Sequence, residues 1–121
     1  MSKLILVIED QEDNPRIMRD LLTRAGYEIV EAVTGADGVA AAEVHRPDLI
    51  LMDIQLPDFD GYEATRRIKA NPDLHPIPVI AVTSYALSGD DVKAFEAGCD
   101  AYVSKPFSPR ALLAKIKEIL T

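Results

Sequence analysis

Five residues in this chain of 121 combine a reactive type with a telling position: Glu9, Asp10, Asp53, Thr83 and Lys105. Each closes a short apolar run, in "LILVIED", "LILMD", "VIAVT" and "AYVSK". Three carboxylates converging at one rim repel one another, and negative charge at the edge of a core is costly to desolvate. Such a set calls for a cation. A hard divalent ion takes oxygen ligands, and Mg2+ suits a site with few carboxylates because it keeps several waters and accepts phosphate oxygens. Lys105 supplies further positive charge. Asp53, standing alone at its strand end, is then placed to attack a phosphoryl group as a carboxylate nucleophile. The metal and Lys105 would neutralise charge on the transferring group, and the Thr83 hydroxyl would donate to one of its oxygens. Taken singly, these are ordinary turn acids, a strand-end threonine and a loop lysine. Their conjunction at the same end of four strands is what points to chemistry. Glu12 and Asp13 are assigned instead to the N-terminus of the first helix, where acids are favoured.

The elements that must position these residues are visible in the hydrophobic periodicity. "LILVIE" is followed by Ile17, Leu21, Leu22 and Ala25 at helical spacing, and "YEIVEAV" by an alanine-rich stretch. "LILMD" precedes "GYEATRRIKAN", "PVIAVT" precedes "DDVKAFEAG", and "AYVSK" precedes Leu112, Leu113, Ile116, Ile119 and Leu120. This is a β-α unit five times over. Asn14-Pro15 and Ser108-Pro109 each read as an N-cap followed by proline at the first helical position, and Gly26 and Gly98 sit where helices should stop. "LILVI", "LILM" and "VIAV" are apolar at every position, as in central parallel strands covered by helices on both faces. The expected fold is α/β, a doubly wound five-stranded parallel sheet in one domain spanning 1–121. In such a sheet the working site lies outside the carboxyl ends of the strands.

Composition narrows the function classes. The chain is 48% hydrophobic, enough for one core, and its 20 acidic against 13 basic side chains leave a net charge of −7. That balance provides no general basic field to gather nucleic acid or an anionic membrane. A single cysteine, Cys99, forms no internal disulfide. No apolar run approaches the roughly 20 residues of a membrane span, and the N-terminus lacks the features of a signal peptide. The expectation is a soluble, cytoplasmic protein. Cys99 is read as a small buried hydrophobe, and His45 and His75, which flank predicted loops far from the acids, are not read as ligands.

On "IED", "DLILMDIQLPDFDGYE", "PVIAVTSYA" and "AGCDAYVSKPF" the chain resembles the receiver (CheY-like) domains of bacterial two-component response regulators, over essentially its whole length. "MDIQLP" and "SKPF" bring it nearest to single-domain regulators of the DivK type and to the receivers of hybrid kinases. The resemblance implies a flavodoxin-like (βα)5 fold with strand order 2-1-3-4-5. It implies that Asp53 accepts a phosphoryl group from a histidine kinase or phosphotransfer protein, and that Glu9, Asp10, Asp53 and the Gln55 backbone carbonyl hold Mg2+. Thr83 and Lys105 match the residues that contact the phosphoryl oxygens, Thr83 and Tyr102 the switch pair, and Gln55 and Tyr85 the positions that tune the lifetime of the aspartyl phosphate. Output through the α4-β5-α5 surface to a downstream protein effector follows, as does a signalling role in a phosphorelay rather than that of an enzyme with a separate substrate. Phosphotransfer and slow autodephosphorylation would be the domain's own catalysis.

Two other classes fit less well. A Mg2+-dependent phosphohydrolase with an aspartate nucleophile would want a second acid two residues on, and position 55 is Gln. A flavin-binding domain would want a glycine- or hydroxyl-rich loop after the first strand, where "EDQEDN" would repel the phosphate. A degenerate receiver acting only as a binding module is disfavoured by the intact residue set. Pro15, Met18, Pro106 and Phe107 form a candidate apolar docking patch near the acceptor.

Overall fold

The structure, a computed structural model, describes residues 3–9, 13–54, 61–83, 90–104 and 109–120, with backbone alone for 13–18, 83, 90, 91, 104 and 109. Strands β1 (Leu4–Ile8), β2 (Glu28–Ala32), β3 (Leu49–Asp53), β4 (Val79–Thr83) and β5 (Ala101–Ser104) alternate with helices α1 (Asp13–Arg24), α2 (Gly35–His45), α3 (Gly61–Ala70), α4 (Asp90–Ala97) and α5 (Pro109–Leu120). All strand pairings are parallel, in the order β2-β1-β3-β4-β5. The three wholly apolar runs are the three central strands, as expected. Their side chains are buried almost throughout, whereas β2, at one edge, exposes Glu28 and Glu31.

The pleat sends alternate side chains to opposite faces. Ile5, Val7, Leu49, Leu51 and Ile80 meet Leu22 of α1 and Leu112 and Ile116 of α5. Leu6, Ile8, Ile50, Met52 and Ala81 meet Ala42 of α2, Ala64 and Ile68 of α3 and Ala94 of α4. Two helices on one face and three on the other make the doubly wound arrangement.

Helix ends show their causes. After α1, Gly26 (φ 96°) lets the Tyr27 N–H reach the Leu22 carbonyl at 3.0 Å and the Gly26 N–H reach that of Thr23 at 3.0 Å. After α4, Gly98 (φ 109°) repeats the motif, with Cys99 donating to Ala94 and Gly98 to Phe95. Both stops stand where the glycines predict them, because only a residue without Cβ enters this backbone region at little cost. The N-terminus of α1 differs from expectation: the helix starts at Asp13, so Asn14 and Pro15 lie inside its first turn. Proline is tolerated there because N–H groups of the first turn have no intrahelical partner. Pro109 is the first described residue of α5, and Ser108, its expected cap, lies outside the described residues. For α2 the cap is Thr34, whose Oγ1 accepts the Asp37 N–H at 3.0 Å.

Candidate functional site

Strand register builds the site. Ile8 of β1 pairs with Met52 of β3, so Glu9 and Asp53, the next residue on each chain, leave neighbouring strands at the same level. Glu9 has left β1 proper, yet its N–H still donates to the Ala32 carbonyl at 2.9 Å. Asp53 pairs with Val82 of β4, and Thr83 ends that strand one residue further on. Backbone hydrogen bonds also secure the end of β3 from its C-terminal side: the Ile54 N–H donates to Val82 at 3.0 Å, and the Gly61 N–H to Ile54 at 2.8 Å.

Both carboxylates are removed from solvent, Glu9 being 5% exposed and Asp53 4%. They are two of the three buried polar or charged residues among those described, the third being Thr65. Two acids buried side by side at the end of an apolar sheet are costly unless compensated. Their donor set is oxygen alone, without imidazole or thiolate, which fits a hard cation such as Mg2+ rather than a borderline or soft metal. No cluster of three His, Cys, Asp or Glu suited to a metal occurs among the described residues, and Asp10, the third acid of the expected set, lies outside them.

Of the other expected site residues, Thr83 is placed at the same rim by its backbone, its side chain being outside the description. Gln55, Tyr85, Lys105, Pro106 and Phe107 lie outside the described residues, as do the side chains of Pro15 and Met18 on α1. Tyr102 is half-buried on β5, packed against the core on the α2-α3-α4 face and paired in register with Ala81. His45 and His75 are exposed, one ending α2 and the other in the connection before β4, away from the acidic rim.

Sequence reasoning missed two supporting residues, Gly61 and Thr65. The Thr65 hydroxyl, fully buried, donates to the Gly61 carbonyl at 2.8 Å and lies 3.7 Å from Cys99 Sγ. A threonine bonding back four residues within its own helix leaves no periodic signal. The glycine in "DFDGYE" was visible, but its purpose depends on what packs against it. Cys99 is buried as expected, and that burial raises its thiol pKa above the usual value, against a smaller lowering by the Thr65 hydrogen bond.

Comparison with known proteins agrees with this geometry. Residues 5–117 match the response regulator receiver domain family. The chain is 44% identical over 120 residues to the polar-differentiation response regulator DivK of Brucella anthropi, covering 99% of this chain and 98% of that protein. The receiver domain of a sensor histidine kinase from Pseudomonas aeruginosa, solved with a magnesium ion coordinated in its active-site cleft, superimposes with a TM-score of 0.91 at 36% identity, covering 99% and 98% of the two chains. A CheY-like receiver domain protein from Methanospirillum hungatei does so with a TM-score of 0.90 at 38% identity, covering 99% and 94%. With its parallel sheet in the order 2-1-3-4-5 and its buried acids at the strand ends, the chain belongs to the response regulator receiver domains.

Proposed function

We propose that this domain is a Mg2+-dependent phosphoryl switch whose acceptor is Asp53. The observation that carries this reading is the pair of buried carboxylates, Glu9 and Asp53, leaving adjacent strands at one level of the sheet. An Asp53 oxygen attacks the phosphorus of a phosphohistidine on a histidine kinase or phosphotransfer protein. The P–N bond breaks as the P–O bond forms, and the imidazole leaves to take a proton from water. The protein's part is to hold the nucleophile in line, since phosphoryl transfer is governed by positioning and charge stabilisation. Glu9, Asp10, Asp53 and the Gln55 carbonyl would hold Mg2+. When bound, that ion supplies charge neutralisation for the carboxylates and the transferring group. Lys105 and Thr83 contact the phosphoryl oxygens, and Gln55 and Tyr85 set how readily water reaches the aspartyl phosphate.

The domain thus catalyses its own modification without turning over a separate substrate. Pro15, Met18, Pro106 and Phe107 dock the phosphodonor. Output passes through α4, β5 and α5 to a protein effector. Val92 and Phe95 support this assignment: they lie one turn apart on α4, each 53% exposed, and give that surface apolar area beyond what a solvated helix face needs. The net charge of −7 speaks against nucleic acid or an anionic membrane as the receiving partner. No helix among the described residues is long and apolar enough to cross a membrane.

The test is acetyl phosphate labelling in Mg2+ buffer. Wild type takes label in Mg2+ and none when the metal is chelated beforehand, whereas Asp53→Asn stays folded and takes none even with Mg2+, because the amide is isosteric but a poor nucleophile. Equal labelling of the two proteins would overturn the assignment.

A further inference from the structure

Gly61 opens α3 directly against the acceptor strand. A Cβ built on it would stand 2.3 Å from the Asp53 carbonyl oxygen and 2.8 Å from the Ile54 Cα. Both are backbone atoms, of a strand end already tied to β4. No side-chain rotation relieves such a contact. Gly38 on α2 provides the contrast, since a Cβ there would meet side-chain atoms alone, Ile8 Cδ1 at 2.4 Å, Cγ1 at 2.8 Å and Cγ2 at 2.9 Å. Gly61 does not have a positive φ, so the requirement is for space rather than backbone freedom. Its N–H donates to the Ile54 carbonyl at 2.8 Å, and its own carbonyl accepts the buried Thr65 hydroxyl at 2.8 Å.

We propose that Gly61 is a positioning residue for the phosphoryl acceptor: its missing side chain lets the start of α3 seat on the backbone of Asp53 and Ile54, with Thr65 pinning it from within the helix. The inference rests on Asp53 being the acceptor. Any side chain at position 61 forces α3 or the end of β3 to move by about an ångström to regain ordinary contact distance. A displacement of that order costs up to about a hundredfold where a nucleophile must lie in line. Two of the four proposed metal ligands, Asp53 and the Gln55 carbonyl, belong to this strand and the residues that follow it, so affinity for Mg2+ should fall with the labelling rate.

The experiment compares Gly61→Ala, Gly38→Ala and wild type at a temperature where circular dichroism shows all three folded. Acetyl phosphate labelling at saturating Mg2+ and the Mg2+ Kd by calorimetry are the readouts. Gly61→Ala is expected to label about tenfold or more slowly and to bind Mg2+ more weakly, whereas Gly38→Ala melts lower yet labels within about twofold of wild type. Wild-type values in Gly61→Ala, or equal losses in the two glycine variants, would overturn the proposal. Should Gly61→Ala fail to fold, Thr65→Val removes only the pinning hydroxyl. It should slow labelling and Thr65→Ser should restore it, and a valine variant with wild-type labelling would also overturn the proposal. A wild type that binds Mg2+ but takes no label would refute the acceptor assignment, while the Mg2+ affinities of the variants would still decide the positioning role.

Discussion

Lys69 ties together three segments at the end of the sheet opposite the acids, and its removal should be costly in stability and neutral in function. Its Nζ donates to the Ile77 carbonyl at 2.7 Å, the His75 carbonyl at 3.0 Å and Asp100 Oδ2 at 3.1 Å. The Lys69 side chain is 14% exposed and that of Asp100 47%. Lys69→Met keeps much of the stem that packs over Gly98 and deletes the three donors. The part-buried Ile77 carbonyl loses a charged donor, worth about 1.5–3 kcal/mol. Water replaces the ammonium at the exposed His75 carbonyl. Asp100 is half exposed and still accepts the Val79 N–H at 2.9 Å, so its share is no more than about 1 kcal/mol. The sum expected is about 2–3 kcal/mol, a fall in Tm of roughly 6–15 °C for a chain of this length. Urea and thermal unfolding followed by circular dichroism measure it, as the chain has no tryptophan. Glu63→Gln is the control. It weakens exposed ion pairs to Arg67 at 3.0 Å and Arg66 at 3.5 Å, and should cost no more than about 1 kcal/mol. A Lys69→Met loss as small as that control would refute the reasoning. So would a loss of acetyl phosphate labelling at a temperature where the variant is folded, because the network and Asp53, the proposed acceptor, occupy opposite ends of the strands.

Two further outcomes follow from local chemistry. Thr34→Ala removes the cap that satisfies the Asp37 N–H and should cost about 1 kcal/mol, seen as a lower urea midpoint at unchanged m, with Thr34→Ser retaining most of the stability. Burial raises the Cys99 thiol pKa in the folded state above its unfolded value. The stability due to the neutral thiol is therefore present in full below the unfolded pKa and is lost as pH rises through the folded one. The margin of wild type over Cys99→Ala should narrow on going alkaline, and a flat or widening margin would contradict it. Slow reaction of the native thiol with a disulfide reagent, accelerating on unfolding, is the companion measurement.

What the sequence made legible was whatever depends on one segment at a time. Three runs with no polar residue could only be central strands, and the glutamates of "EIVEA" match its place at the edge. Gly26 and Gly98 stop helices because of their own backbone. The Thr34 cap of α2 was not among the caps read from the sequence, and α1 starts ahead of its proline because the first turn asks nothing of the Pro15 nitrogen. Contacts between segments left no such mark. Lys69 reads as a solvated lysine until the 75–77 carbonyls are folded over it, and Gly61 as a turn glycine until the Asp53 carbonyl is found beneath it. Strand order belongs to this second kind, and it came from resemblance rather than periodicity. Yet strand order makes the site. From β1 the chain crosses to β2 on one side and returns to β3 on the other, so the connections after β1 and β3 diverge and leave a crevice between their carboxyl ends. Glu9 and Asp53 are the residues at that divergence. The two carboxylates that the sequence shows 44 residues apart become one site because the sheet reverses its direction of growth between them.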